Sequence, residues 1–173
     1  PVKAACQRAR EIGAISYIDA VAFAPHGPVD VLDLECDFLI CSAYKFYGPH
    51  QAFLYGRRET LETLTPYKVR PAPDEIPDCF ETGTQNHECL AGLLGTMEYL
   101  ETLSNPGLGT RRERLVSAMK NMEDYEAALG WRLIDGLKAI KGTTIHGISN
   151  PNRAAHRVPT ISFTLASQNS KDV

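Results

Sequence analysis

The feature that most constrains the fold is the apolar run Phe38–Cys41, which leads into a loop that carries one lysine. The run is short, uncharged and rich in strand-forming residues, and Gly48-Pro49 interrupts the chain after it. We therefore expect a buried strand followed by a loop, and α/β folds place their chemistry in such loops. Lys45 is either a partly desolvated nucleophile toward an aldehyde or a solvated loop lysine.

A second strand is predicted over Ala14–Ile18, and it ends at Asp19. The two strand ends therefore carry a carboxylate and an amine. Pyridoxal phosphate requires these two protein groups, because a carboxylate keeps its ring nitrogen protonated and a lysine holds its aldehyde. Taken alone, Asp19 reads as a strand-end acid that caps the next turn, but together with Lys45 it favours a cofactor site.

Several motifs follow one another in a recognisable order. They are Pro28-Val29-Asp30-Val31, Asp37-Phe38, Ser42-x-x-Lys45-x-Tyr47-Gly48-Pro49 and Phe80-Glu81-Thr82-Gly83-Thr84-Gln85-Asn86. Together they resemble class V aminotransferases, and within them the cysteine desulfurase-like branch. The resemblance implies an α/β fold: part of the large domain of a pyridoxal-phosphate-dependent transferase, with a mostly parallel sheet and flanking helices, and the start of a small α+β C-terminal domain.

The resemblance also predicts how the chain is divided. A length of 173 residues suits one domain, but enzymes of this kind are considerably longer and have two unequal parts. We expect an internal piece of such a protein. Residues 1–106 would be the C-terminal portion of the large cofactor-binding domain, and residues 107–173 the linking helix and the beginning of the small domain.

Individual residues acquire roles from the resemblance. Lys45 would be the Schiff-base lysine and would carry the proton removed from the substrate Cα, and Asp19 would face the pyridine nitrogen. Ser42 and Tyr44 would bind the cofactor phosphate. His26 matches a histidine found in some of these enzymes, as a turn residue near the cofactor or as a participant in the chemistry.

Thr84 stands just ahead of a predicted helix, with Asn86 as the N-cap. A hydroxyl and free amides at a helix start suit a phosphate, although a simple capping turn explains them equally well. In the family the matching threonine reaches the cofactor phosphate of the neighbouring subunit. The resemblance therefore implies a homodimer.

Two positions depart from the desulfurase pattern. Tyr44 stands where these enzymes usually have a histidine, and a phenol can donate to phosphate but does not act as an acid or base near neutral pH. Ala22 stands where they carry a glutamine that bonds the cofactor's phenolic oxygen. The cysteines show no metal-like spacing, and none matches the sulfur-accepting cysteine of the family; they are Cys6, Cys36, Cys41, Cys79 and Cys89.

We therefore expect a pyridoxal-phosphate enzyme that deprotonates a small amino acid at Cα, as cysteine desulfurases do. Transamination, epimerisation and lyase chemistry begin in the same way and remain alternatives, as does a non-catalytic truncated dimerisation or binding module.

The net charge of −3 gives no electrostatic case for nucleic acid or an anionic membrane. No apolar run approaches the roughly 20 residues that span a bilayer, and we expect a cytoplasmic protein. We expect no metal site, because the cysteines and histidines show no metal-like spacing.

The remaining elements are predicted from periodicity and turn chemistry. Gln51–Gly56 gives a third strand, and the proline-rich stretch 57–78 an ordered loop without regular structure. Thr110-x-x-Glu113 is a capping box that opens one long helix to Ile140. Two strands of a small sheet are predicted after that helix, over Thr143–His146 and Val158–Thr164.

Overall fold

The computed structural model describes residues 1–81, 83–166 and 168–171. The helices and strands are α1 Val2–Glu11, β1 Tyr17–Asp19, α2 Val31–Leu34, β2 Phe38–Ser42, β3 Ala52–Gly56, α3 Arg58–Leu61, α4 His87–Thr102, α5 Arg111–Ala139, β4 Thr143–His146 and β5 Ser162–Leu165. Short 3-10 helices cover Ala43–Lys45, Asp78–Phe80 and Pro151–His156. The fold is of the predicted α/β class.

Two compact units make up the chain. The first holds Pro1–Pro25 and Val29–Leu100, and the second holds His26–Pro28 and the residues from Glu101 onward. The chain thus leaves the first unit for three residues soon after Asp19 and then returns to it. Each unit has its own sheet.

The sheet of the first unit has the strand order β1-β2-β3. β1 and β2 are parallel, with Tyr17 opposite Phe38 and Asp19 opposite Ile40. β3 is antiparallel to β2, with Ala52 opposite Ser42. Within the described residues this sheet therefore holds one parallel and one antiparallel strand pair.

The central strand β2 is the buried core of the first unit. Phe38, Leu39, Cys41 and Ser42 are buried, and burying a large apolar side chain stabilises a fold by about 1.5 to 3 kcal/mol. The outer strands are more exposed. The predicted strand over Phe38–Cys41 is confirmed, and it is the uninterrupted apolar run that places it in the middle of the sheet.

Strand β1 is shorter than predicted. It begins at Tyr17 and not at Ala14. The N–H of Ala14 donates to the carbonyl of Ala9 at the end of α1 at 2.8 Å, and the N–H of Ser16 donates to the carboxylate of Asp37 at 2.9 Å, so neither is free for a strand partner. The prediction for residues 57–78 is wrong at its start, where Arg58–Leu61 form the one-turn helix α3. There the N–H of Leu61 donates to the carbonyl of Arg57 at 2.9 Å.

The second unit is built on α5. The predicted capping box is confirmed: Thr110 Oγ1 accepts from the N–H of Glu113, and the Glu113 carboxylate accepts from the N–H of Thr110 at 2.8 Å. The antiparallel pair β4-β5 follows. β5 begins at Ser162 and not at Val158, since the guanidinium of Arg157 binds the carbonyls of Val158 and Thr160.

Across the described parts of the chain, no helix combines the length and the apolar character needed to cross a membrane.

Candidate active site

The carboxyl ends of β1 and β2 lie at the same edge of the sheet, because these two strands are parallel. Asp19 is the last residue of β1, and Ser42 is the last residue of β2. Asp19 pairs with Ile40, two residues before Ser42. The edge therefore brings together a carboxylate, a buried hydroxyl and the start of the loop that carries Lys45.

The Asp19 carboxylate is exposed at the strand end and is held by a tight turn. Its Oδ1 accepts from the backbone N–H of Val21 at 2.9 Å, and the N–H of Ala20 donates to the carbonyl of Ile40 at 3.0 Å. The first bond has the form of an Asx turn. Asp19 thus has the capping role predicted from its position. Its carboxylate is also exposed to solvent at this edge.

The charge of Asp19 also affects the thiol of Cys41. Burial first, and then the negative charge of Asp19, raise the pKa of Cys41 above its usual value. A thiol held in its protonated form is a poor nucleophile and a poor metal ligand. Cys41 is therefore a structural residue beside the site.

The loop after β2 is a compact turn closed by backbone hydrogen bonds. The N–H of Ala43 donates to the carbonyl of Gln51 at 2.7 Å, and the Ala43 carbonyl accepts from the N–H groups of Phe46 and Gly48 at 2.9 and 2.8 Å. A Cβ atom at Gly48 would lie 2.7 Å from Ala43 Cβ. The close approach of Gly48 to Ala43 thus fixes the turn that presents Lys45.

The Lys45 side chain lies against an aromatic ring. Its Nζ is 5.2 Å from the centroid of the Tyr44 ring, within the range of a cation–π contact. The Tyr44 ring in turn stacks on the imidazole of His50, with a centroid distance of 4.7 Å and an interplanar angle of 16°. Sequence reasoning missed His50, and its only signal was its position directly after Gly48-Pro49.

Thr84 lies in an exposed loop ahead of α4. Gly83 before it has φ 73°, a conformation that glycine adopts without a steric penalty. The predicted N-cap is confirmed, since Asn86 Oδ1 accepts from the N–H of Cys89 at 3.1 Å. Thr82 of the same motif lies outside the described residues.

His26 belongs to the second unit. Its Nδ1 lies 2.8 Å from Oε2 of Glu126 on α5, and the two side chains are only 20% and 24% exposed. Sequence reasoning missed this partner, which is 100 residues away along the chain. The pair of His26 and Glu126 is therefore a partly buried structural contact within the second unit.

The structure offers no group of three or more metal-binding side chains among the residues it describes. All five cysteines are free, and four of them are buried. The structure places four oxygen and nitrogen donors at the sheet edge and in the loop that follows it, namely Asp19, Ser42, Tyr44 and Lys45.

Comparison with known proteins shows which family the chain belongs to. The model of the class-V aminotransferase family matches residues 1–173. A cysteine desulfurase of Pectobacterium atrosepticum is 28% identical over 186 aligned positions, which cover all of this chain and 41% of that protein. The aminotransferase-like protein FGM3 of Gibberella zeae is 31% identical over 174 positions, covering 99% of this chain and 40% of that protein.

A solved structure gives the same result for the fold. The apo structure of cysteine desulfurase from Thermococcus onnurineus NA1 matches with a TM-score of 0.79 and 24% identity, over 99% of this chain and 42% of that chain. The chain thus spans about two-fifths of the length of the relatives it matches. Because the family model matches the whole of its length, the chain belongs to the class-V aminotransferase family.

Proposed function

We propose that these residues form the cofactor-binding part of a pyridoxal-phosphate-dependent enzyme that acts on a small amino acid, in the manner of cysteine desulfurases. One observation carries the proposal. Asp19 ends strand β1, and the loop that carries Lys45 follows the parallel neighbouring strand β2. The relative named cysteine desulfurase supports the substrate class. The activity belongs to the full natural chain that contains these residues.

The donor set at the sheet edge fits the cofactor. A carboxylate that is exposed at one strand end, and an amine in the loop after the neighbouring strand, are the two groups that pyridoxal phosphate requires from a protein. When bound, the cofactor supplies a ring that accepts the electron pair left by bond cleavage at the substrate Cα.

Each residue has a separate task in this proposal. Asp19 holds a proton on the pyridine nitrogen. Lys45 Nζ would hold the cofactor through its aldehyde group, and the same amine would take the proton from the substrate Cα. The hydroxyls of Ser42 and Tyr44 donate hydrogen bonds to phosphate. Tyr44 supplies no imidazole, and in this proposal the Lys45 amine carries the acid–base chemistry.

The homodimer is part of the same proposal. Thr84 is exposed in its loop, which suits a hydroxyl that binds the cofactor phosphate of a neighbouring subunit. We also propose that His26 lies near the cofactor and that the contact of its Nδ1 with Glu126 orients the ring. We also propose a cytoplasmic location, with residues 1–106 in a large domain and residues 107–173 in the linking helix and small domain.

Transamination is the second candidate. One relative is named an aminotransferase-like protein, and Ala22 leaves no side chain to bond the cofactor's phenolic oxygen. Epimerase and lyase chemistry use the same Lys45 and Asp19 and are separated from desulfuration only by the products.

The test uses the full natural chain with pyridoxal phosphate and with cysteine. We expect a visible absorbance band, borohydride trapping of the cofactor on Lys45 by peptide mass spectrometry, and release of sulfide and alanine. Lys45→Ala is expected to lose the band, whereas Lys120→Ala, an exposed lysine on α5, keeps it.

Three outcomes would redirect the proposal. A band that changes with cysteine but releases no sulfide moves the substrate elsewhere in the family. A normal band in Lys45→Ala removes Lys45 from the site. No band in the unmodified protein indicates a non-catalytic dimerisation or binding module.

A further inference from the structure

Tyr44 and His50 are joined across the Lys45 loop. The pairing of Ser42 with Ala52 in the β2-β3 ladder continues one step further in the bond from the N–H of Ala43 to the carbonyl of Gln51. The next pair outward is Tyr44 and His50, which places the two rings side by side. The stack is thus a product of the strand register and of the closed turn.

The stack lies at the surface. Tyr44 is 45% exposed, and His50 is exposed as well. An exposed tyrosine without a packing partner exchanges between staggered rotamers. The imidazole therefore limits where the Tyr44 ring can go, and aromatic pairs in offset stacking favour one arrangement beyond simple area burial.

The ring that His50 holds is the ring that Lys45 contacts. Lys45 Nζ lies 5.2 Å from the Tyr44 centroid, so the position of the amine depends on the position of the ring. We propose that His50 is a positioning residue of the proposed cofactor site, which fixes Tyr44 by stacking and through it places the Lys45 amine and the Tyr44 hydroxyl. The inference rests on the proposed function.

The stacking and the imidazole chemistry of His50 are separable by substitution. His50→Phe keeps an aromatic face but removes both ring nitrogens, whereas His50→Ala removes the face. Tyr44→Phe keeps the stack and removes the hydroxyl. These three variants in the full natural chain assign each effect to the ring face, the nitrogens or the hydroxyl.

The first measurement needs no cofactor. The rate of reductive methylation of Lys45 in the apo protein is followed by peptide mass spectrometry, with Lys120 in the same sample as the reference. We expect His50→Ala to raise the Lys45 rate about two- to fivefold, since an amine that no longer packs on a fixed ring face is more accessible to formaldehyde. His50→Phe and Tyr44→Phe are expected to stay within about 1.5-fold of the unmodified protein.

The second measurement is the apparent affinity for pyridoxal phosphate, from the visible absorbance band. His50→Ala is expected to weaken it about three- to tenfold, His50→Phe to restore it, and Tyr44→Phe to weaken it with an unchanged methylation rate.

An unchanged methylation rate in His50→Ala would overturn the inference, and so would a His50→Phe variant that behaves like His50→Ala. If the unmodified protein shows no band, the proposed function fails. The methylation rates then still decide whether His50 fixes the ring and the amine.

Discussion

Ser16 and Asp37 bind each other through three hydrogen bonds at the start of the parallel strand pair. The hydroxyl and the backbone N–H of Ser16 donate to Asp37 Oδ2 at 2.7 and 2.9 Å, and the N–H of Asp37 donates to Ser16 Oγ at 2.9 Å. Thr60 Oγ1 donates to the other carboxylate oxygen at 2.9 Å. One side chain therefore connects the segments before β1, before β2 and in α3.

Asp37→Asn is expected to lower the free energy of unfolding by about 1 to 3 kcal/mol at pH 7, because the amide nitrogen cannot accept from Ser16 or Thr60. Burial alone would raise the pKa of Asp37, but the hydrogen bonds from Ser16 and Thr60 and the charge of Arg57 outweigh it and hold the pKa below its usual value. The carboxylate's contribution is complete above that value and is lost as the pH falls through the folded pKa.

Urea unfolding at pH 7 and at successively lower pH checks this prediction. The difference in the free energy of unfolding between the unmodified protein and Asp37→Asn should be constant down to about pH 5 and shrink as the pH falls through the lowered pKa of the carboxylate. Asp33→Asn is the matched control, since Asp33 forms an exposed ion pair with Lys3 that is worth at most about 1 kcal/mol. A difference that grows on acidification would contradict the assignment.

Gly48→Ala is expected to destabilise the Lys45 loop by about 1 to 3 kcal/mol. The new methyl group would lie 2.7 Å from Ala43 Cβ and 2.9 Å from the Ala43 carbonyl oxygen, and neither atom belongs to a flexible side chain. Gly95→Ala is the control, because nothing lies within 4 Å of a Cβ there and alanine favours the interior of α4 by about 1 kcal/mol. Equal midpoints in thermal unfolding for the two variants would refute the close-packed turn.

Thr84→Val is expected to weaken the retention of pyridoxal phosphate about tenfold, because valine keeps the shape and loses the hydroxyl bond to phosphate. Retention is measured by dialysis of the loaded protein at a concentration where the proposed dimer would be intact. Unchanged retention would remove Thr84 from the phosphate site.

Mixed dimers show which subunit Thr84 serves. Lys45→Ala and Thr84→Val subunits are unfolded together, refolded and reloaded. If Thr84 acts on the neighbouring subunit, each mixed dimer holds one site with both residues intact, and tight binding returns. If Thr84 acts within its own subunit, no site has both residues and tight binding stays absent.

Glu126→Ala is expected to lower the stability of the second unit by about 1 kcal/mol, since it removes the partner of a partly buried imidazole at 2.8 Å. Amide hydrogen exchange of α5, His26 and Gly27 is the measurement. Glu123→Ala removes an exposed carboxylate from the same helix and should leave that exchange unaltered. Equal exchange in both variants would show that the pair contributes nothing measurable.

The parts of the fold that the sequence predicts are those decided by local chemistry. The buried run Phe38–Cys41, the capping box at Thr110 and the N-cap Asn86 each carry their own signal within a few residues. The shared edge of Asp19 and the Lys45 loop was also predictable, because strand ends in an α/β fold meet.

The parts that could not be predicted depend on contacts between distant segments. β1 loses Ser16 because Asp37, 21 residues later, takes the Ser16 N–H. Glu126 meets His26 across 100 residues. The stack of Tyr44 on His50 depends on the strand register, which periodicity does not specify for a surface loop.

Because His26–Pro28 belong to the second unit, the two units cannot be expressed separately by dividing the gene at one position. A cut between Leu100 and Glu101 looks like a natural way to express the two units as consecutive halves. Such a cut deprives the C-terminal product of residues 26–28 and leaves Glu126 without its imidazole partner. Any separation of the units must therefore supply that tripeptide in trans or graft it, since the boundary is not a single point on the gene.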